Sequence, residues 1–269
     1  MASLEKSLRN LLIAEKVCQV DRTEAKYIDN PYGSQPTATI QAIAGTYSVS
    51  AFTLTDDTLT VTDEVIIAEH IYRHEEVLTA FNVFSSRIDE QNYAVAYQID
   101  RFVVNNLCED GTGTYTTPAG GFTTAANILT IMANLHSKVA GYESAYKKTF
   151  LIIENTDLPG FLISAAATGF QTADETLRNG FAGSLMGTDI YVIRTGTFAG
   201  ATIGSTIVTN SGHRVFGVKG LATYATPRGI EYEELLVTGK TGREIRTVGF
   251  VGFKLWAVKA ALIIDITLA

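Results

Sequence analysis

The sequence predicts an α+β protein, and three observations support this. Apolar residues make up 46% and charged residues 18% of the 269 residues, a composition typical of a globular chain. Some segments alternate apolar and polar residues with a period of two, which indicates strands, whereas others repeat apolar residues every three or four positions, which indicates helices. A chain of this length forms one large domain or two small ones and needs no disulfide or metal to hold its core.

The first thirty residues predict an N-terminal arm. Leucines recur at helical spacing, at Leu4, Leu8, Leu11 and Leu12, and a charged stretch follows them. A single apolar stripe on an otherwise charged segment has no core of its own to join. We therefore expect the stripe, with Leu8 and Leu11 first, to contact another subunit.

Residues 31–61 predict an extended β-hairpin. Polar and apolar residues alternate over 46–54, and Gly45 lies between the two halves of the segment. An isolated hairpin is only marginally stable in water, so we expect a neighbouring subunit to cover this one. The predicted contact residues are at its tip, Gly45, Thr46 and Tyr47.

Residues 62–110 are predicted to be helical. Ile67, Ile71, Leu78 and Phe81 share one face of a first helix, and a second helix of about 30 Å runs over 86–107. Ser86 and Asp89 resemble a capping box at its start. Its predicted apolar face consists of Ile88, Val95, Ile99, Phe102 and Val103, and its predicted polar face of Asp89, Glu90, Gln98, Arg101 and Asn105.

The remainder predicts an α/β unit followed by strands. Residues 111–121 are a turn-rich break, and a helix with Ile128, Met132 and Leu135 on one face follows. Pro159 is predicted to open another helix. Further elements are predicted as strands at 149–153, 189–193, 213–218, 230–237, 244–254 and 257–268, and as a helix at 173–178. A hairpin turn is predicted at 239–242.

Three motifs resemble binding sites, but turns or packed side chains explain them better. Gly239-Lys240-Thr241 lacks the glycine that a phosphate-binding loop has five residues earlier, and Gly111 to Gly113 lacks the third glycine of a dinucleotide fingerprint. His70 and His74 have the i, i+4 spacing of zinc ligands on a helix, but Ile71 stands where a zinc protease has glutamate. We therefore predict packed or interface histidines, no metal, no cofactor and no enzyme activity.

Charge and cysteine content narrow the class of protein. The formal net charge is −7, whereas proteins that grip nucleic acid carry a basic footprint. Cys18 and Cys108 are too few for a disulfide framework and predict free thiols. No signal peptide or membrane span is evident, which predicts a soluble cytoplasmic product.

Three stretches resemble the major capsid proteins of tailed bacteriophages, which have the Hong Kong ninety-seven-type capsid fold. The stretches are 59–66 continuing through 94–100, then 150–154 with 162–163 and 177–180, then the passage 183–192 with two glycines before an apolar strand. The resemblance implies an N-terminal arm (1–30), an extended loop (31–61), a peripheral domain with a spine helix (62–112 and 220–269) and an axial domain (113–219).

The resemblance also implies what the chain does and with which partners. It implies pentamers and hexamers in an icosahedral shell that encloses double-stranded DNA without specific binding, with hinges near 31–37 and 111–121. Portal and scaffolding proteins, and in some relatives a cement protein, are the implied partners. Some relatives join subunits by an isopeptide bond from a lysine in the extended loop, but residues 31–61 contain no lysine.

Three alternatives remain open at this point. An encapsulin compartment shares the fold and would enclose a protein cargo. A small α/β enzyme needs a pocket with convergent polar groups, and no motif supplies one. A phage tail-tube protein is mostly β-sheet, which the long helix at 86–107 disfavours.

Overall fold

A computed structural model describes residues 12–33, 40, 49, 51–74, 83–140, 148–167, 181–199, 201–203, 206–208, 210–236 and 241–269. Within these ranges the chain is a mixed α+β protein built on two main sheets and one long helix. None of the described helices combines the length and the apolar character that a bilayer crossing requires.

The N-terminal part contains one short helix, six strands and the long helix. In chain order they are α1 (Ala14–Val17), β1 (Gln19–Asp21), β2 (Tyr27–Asp29), β3 (Tyr32–Gly33), β4 (Leu54–Thr55), β5 (Thr58–Thr60), β6 (Asp63–Tyr72) and the spine helix α2 (Val83–Asp110). The central part follows with β7 (Gly113–Thr116), a 3-10 turn (Gly121–Thr123), α3 (Ala125–Val139), β8 (Thr149–Glu154), α4 (Leu158–Ala167), β9 (Phe181–Leu185), β10 (Thr188–Ile193), β11 (Ala201–Ile203) and β12 (Thr206–Val208). The C-terminal part contains β13 (His213–Val218), β14 (Ala222–Ala225), β15 (Ile230–Leu235), β16 (Gly242–Leu255), a 3-10 helix (Ala257–Leu262) and β17 (Ile263–Thr267).

A five-stranded sheet is organised around β16, the longest strand. The first half of β16 pairs with β15 on one edge and with β6 on the other, both antiparallel. Its last residues pair with β14, and β1 adds to β14 as a parallel strand. The spine helix packs on one face of this sheet, where the missing side chain of Gly249 leaves room for Val95 and Ile99.

A six-stranded sheet has the order β7-β17-β13-β8-β10-β9. Consecutive residues of a strand point to opposite faces, and in β8 both faces are covered. Phe150 and Ile152 join the cluster that contains the spine helix, whereas Leu151 and Ile153 join the cluster formed with α3 and α4. The last strand of the chain, β17, therefore lies in the same sheet as strands from the predicted axial domain, and the predicted domain boundaries stay a prediction.

Several predicted elements are confirmed. The spine helix covers 86–107 and extends beyond it at both ends, α3 carries the predicted apolar face, and α4 begins one residue before Pro159. The strands predicted at 149–153, 189–193, 213–218 and 230–237 form at nearly those positions. The helix predicted at 173–178 and the turn at 239–240 lie outside the described residues.

Five predictions are wrong. Residues 63–72 form strand β6 rather than a helix, because the 242–251 stretch of β16 pairs with it along its length. Ser86 lies inside the spine helix, three residues after its start, and so does not cap it. Asn105 is fully buried rather than on a polar surface, and residues 113–116 of the supposed break pair with β17. The last predicted strand begins only at Ile263, after a 3-10 helix.

Candidate assembly surfaces

The extended loop is a two-stranded ribbon whose base the structure describes. We call residues 27–33 and 51–60 the ribbon; within it β2 pairs with β5 and β3 pairs with β4 in one antiparallel register. The pairing supports the predicted hairpin at its base. The tip residues Gly45, Thr46 and Tyr47 lie outside the described residues, so their contacts stay a prediction.

Beyond its base, at residues 51–56, the ribbon is exposed on both faces. All six residues from 51 to 56 are exposed, and the apolar side chains of Phe52 and Leu54 are 73% and 59% accessible to solvent. Tyr27, on the opposing strand, is 58% accessible. A strand pair with neither face packed does not gain enough burial to be stable by itself, so the exposed apolar side chains indicate a surface that a partner covers.

A small apolar cluster anchors the ribbon to the five-stranded sheet. Leu59, at the base of the ribbon, is fully buried against Ala225 and Trp256. The Trp256 indole N–H donates to the Thr223 hydroxyl at 3.0 Å. The ribbon thus leaves the domain from a packed base, which fixes the direction in which its exposed part projects.

Ionic contacts reinforce the same base. The Lys254 ammonium lies 2.9 Å from a carboxylate oxygen of Asp57, and the other oxygen accepts the N–H of Ala257 at 3.2 Å. Partial burial opposes ionisation of Asp57, but these two contacts prevail and hold its pKa below the usual value. The carboxylate is therefore charged at neutral pH and bridges the ribbon to the end of β16.

The outer face of the five-stranded sheet is a second exposed surface with apolar and charged parts. Ile66 on β6 and Phe250 on β16 point away from the spine helix and are 49% and 36% accessible. Beside them, Arg246 lies 3.4 Å from Glu244 on the same strand and 3.8 Å from Glu233 on the neighbouring strand β15. Exposed apolar side chains that are rimmed by charged ones are a feature of protein contact surfaces.

His70 and His74 do not form a metal site in the part of the chain that the structure describes, where no group of three potential ligands converges. His70 lies on a strand, so the helical spacing that suggested zinc does not exist. Both of its ring nitrogens are buried and have no hydrogen-bond partner among the described residues, and its ring meets Tyr72 edge-on at 4.7 Å. His74 stacks against the same tyrosine ring, with the ring centroids 5.5 Å apart. His70 is partly buried, whereas His74 is exposed and is not packed as the sequence predicted.

A buried ionic cluster in the six-stranded sheet was not foreseen. The Arg214 guanidinium contacts carboxylate oxygens of Asp157 and, at 3.2 Å, of Glu154, and it also donates to the carbonyl of His213 at 2.6 Å. Glu154 in turn accepts the N–H of Gly196 at 2.9 Å. The cluster ties β13 to the end of β8 and to the loop after β10. Arg214 is one of several charged residues on a strand, so spacing gave no signal for it.

The N-terminal arm is only partly an arm. Leu8 and Leu11 lie outside the described residues, and their predicted contacts remain untested. Residues 12–21, in contrast, join the core: Ile13, Ala14 and Val17 are buried in the cluster of the spine helix, and β1 pairs with β14. In sequence, residues 12–21 resemble a solvent-exposed arm. Their charged and apolar residues follow no clear period, so the pattern does not distinguish an exposed arm from a segment that packs into the core.

Comparisons with known proteins support the fold. No protein-family model matches the sequence, and no curated protein matches it. Solved structures do match over almost the whole chain. A structure from Mycobacterium phage Che8 has a TM-score of 0.69 at 17% identity and covers 90% of this chain and 85% of its own.

Two further matches come from other phages. The capsid structure of the cyanophage P-SCSP1u has a TM-score of 0.71 at 11% identity and covers 97% of this chain and 89% of its own. The head structure of Helicobacter pylori bacteriophage KHP40 has a TM-score of 0.66 at 9% identity, with 97% and 89% covered. The chain therefore has the Hong Kong ninety-seven-type capsid fold that the sequence predicts.

Proposed function

We propose that this chain is the major capsid protein of a tailed bacteriophage, which self-assembles into the pentamers and hexamers of an icosahedral shell around double-stranded DNA. The observation that carries the proposal is the ribbon: it is anchored at a packed base, exposed on both faces, and lined with apolar side chains. The match to solved phage capsid and head structures over nearly the whole chain supports the same reading.

Assembly would be the sum of many modest contacts. Apolar burial contributes about 25 cal/mol per Å², so a ribbon that buries a few hundred Å² on a neighbour contributes several kcal/mol before entropy losses. One such contact is weak, but every subunit of a closed symmetric lattice makes it. The exposed outer face of the five-stranded sheet offers a second contact of the same kind.

The proposed shell is held without covalent cross-links from the ribbon. Residues 31–61 contain no lysine, and an isopeptide bond from this segment needs one. The subunits would rely on non-covalent contacts or on a separate cement protein. Portal and scaffolding proteins are the other proposed partners.

We further propose that the chain is not an enzyme, that it does not bind DNA specifically, and that it is assembled in the host cytoplasm and resides in the virion capsid. A net charge of −7 favours enclosure of the duplex without tight adhesion to it. The solved structures of similar fold are described as capsids and heads, which supports a structural role.

Negative-stain electron microscopy of the purified chain, expressed alone and together with its neighbouring genes, tests the proposal. We expect closed shells, or rings of five and six subunits, in at least one preparation. Monomers or dimers in both preparations would contradict it. Shells that contain protein cargo and no DNA when isolated from the native source would favour the encapsulin alternative.

A further inference from the structure

Residues 12–21, here called the N-terminal segment, pack against the spine helix and the five-stranded sheet. We call this contact the seam. On one side of the segment, Ile13, Ala14 and Val17 pack into the apolar core. On the other, the carbonyl of Val17 accepts the N–H of Gly220 at 2.8 Å, and β1 extends the five-stranded sheet. The segment is short and lies at the edge of the sheet, which are properties of a unit that opens before the rest of the protein.

Asp100 of the spine helix lies in this seam. Its side chain is nearly inaccessible, and Oδ1 accepts the backbone N–H of Ala14 at 3.0 Å. The N–H of Ile13 points to the same carboxyl group. Docking of the segment removes this carboxyl group from water, and burial disfavours its ionised form.

The charged and titratable groups that face Asp100 do not offset this cost. From α1, Lys16 favours the ionised carboxylate, whereas Glu15 opposes it; burial lowers the pKa of Lys16 itself. The other groups at the seam are Cys18, Tyr97, Arg194, Lys219 and Tyr224. Burial outweighs the two backbone N–H donors and Lys16, and it raises the pKa of Asp100 to about 7.

We propose that docking of residues 12–21 on the spine helix is coupled to the uptake of one proton by Asp100. When the segment opens, Asp100 is solvated and regains the ordinary aspartate pKa of about 3.9. The docked state binds the proton more tightly, so docking is strongest below about pH 4 and weakens as the pH rises to about 7. Above that pH both states are ionised and docking changes no further. The coupling is a property of the single subunit and does not depend on the proposed function.

The reactivity of the two free cysteines measures how often the segment opens. Cys18 lies at the end of α1 inside the segment, and Cys108 lies near the end of the spine helix outside it; both are buried. The full chain is treated with a dipyridyl disulfide between pH 5 and 8, and each thiol is followed by mass spectrometry. Each Cys18 rate is divided by the rate of a synthetic peptide of residues 12–24 at the same pH, which removes the intrinsic thiol chemistry.

In the wild type, we expect the normalised Cys18 rate to rise about tenfold per pH unit between pH 5 and 6.5 and to level off above pH 7. We expect Cys108 to react more slowly throughout, since it requires a larger opening. Asp100→Asn, which cannot titrate, should show a flat profile, and Asp100→Ser serves the same purpose if the asparagine variant does not fold. Glu15→Gln, which removes an exposed carboxylate on the same helix, is the matched control and should keep the rise.

Three results would overturn the proposal. They are a flat wild-type profile, an unchanged rise in the folded neutral variant of Asp100, and equal rates for Cys18 and Cys108 at every pH. The last result would mean that the segment opens only with the whole protein.

Discussion

Strand β8 and the ribbon have the same secondary structure and opposite surroundings. All six residues of β8 are buried, with one apolar cluster on each face of the strand. In the ribbon all six residues from 51 to 56 are exposed, although Phe52 and Leu54 are as apolar as the residues of β8. The difference shows that β8 is stabilised by its own chain, whereas the described part of the chain leaves the apolar side chains of the ribbon exposed.

The comparison makes opposite predictions for the two regions. Substitutions around β8 are expected to change the free energy of unfolding of the subunit. Substitutions on the exposed ribbon are expected to change assembly and leave the subunit's unfolding almost unaffected. The base of the ribbon, where Leu59 is buried, should behave like the core.

The largest loss of stability is expected for Phe216→Ala. Phe216 on β13 is fully buried beside Leu151 of β8, and removing its ring leaves a cavity that the sheet cannot close. We expect the free energy of unfolding to fall by about 4 kcal/mol, measured by urea denaturation. Phe52→Ala is the matched control, because it removes the same ring from an exposed position and should change the value by less than about 0.5 kcal/mol.

The second-largest loss of stability is expected for Arg214→Ala. It should lower the free energy of unfolding by about 3 kcal/mol in the same urea assay, because it leaves the carboxylates of Glu154 and Asp157 buried without their cation. The control is Arg243→Ala, which breaks an exposed pair with Glu234 at 2.9 Å and should cost about 0.5 kcal/mol. Equal losses for the two arginines would show that the buried cluster is not a structural tie.

Leu59→Ala should lower the free energy of unfolding by about 2 kcal/mol, since the cluster that Leu59 forms with Ala225 and Trp256 is small. Leu54→Ala in the same ribbon removes the same atoms from an exposed position and should be nearly neutral. If hydrogen exchange also shows faster opening of residues 58–60 in the Leu59 variant alone, the base is the anchor of the ribbon. Similar costs for the two leucines would contradict the contrast between base and exposed part.

The smallest effect on unfolding, and the largest on assembly, is expected for Phe52→Ser. The subunit should unfold within about 0.5 kcal/mol of the wild type, because the ring has little burial to lose. Sedimentation velocity should show fewer large particles than the wild type under the same conditions. Phe52→Leu keeps an apolar side chain there and should restore most of the assembly.

The fold could be predicted where one period dominates the sequence. The spine helix and α3 repeat apolar residues every three or four positions, and β8 is a short apolar run. Strand β6 could not be recognised from the sequence, because each of its faces carries both apolar and polar residues and the two kinds therefore do not alternate along the strand. Glu69 points toward the spine helix, where it accepts a hydrogen bond from Gln91 at 3.1 Å, whereas Ile66 points outward. Ile67 and Ile71 then satisfy helical spacing equally well.

The sequence predicted only some of the surfaces and residues that the proposals use. Alternating polar and apolar residues around Gly45 predicted an extended hairpin, and the paired base of the ribbon agrees with that prediction. The docking of residues 12–21 and the position of Asp100 depend on contacts between residues 86 positions apart, which no local pattern contains. The buried partners of Arg214 lie 57 and 60 positions away for the same reason.

The central claim is that the exposed ribbon holds subunits together in a shell. The most direct test is electron microscopy of the wild type and of the double variant Phe52→Ser/Leu54→Ser, prepared in parallel and matched in free energy of unfolding. We predict shells or rings of five and six subunits for the wild type and dispersed subunits for the variant. Shells of equal yield from both proteins, or no assembly of the wild type under any condition, would contradict it.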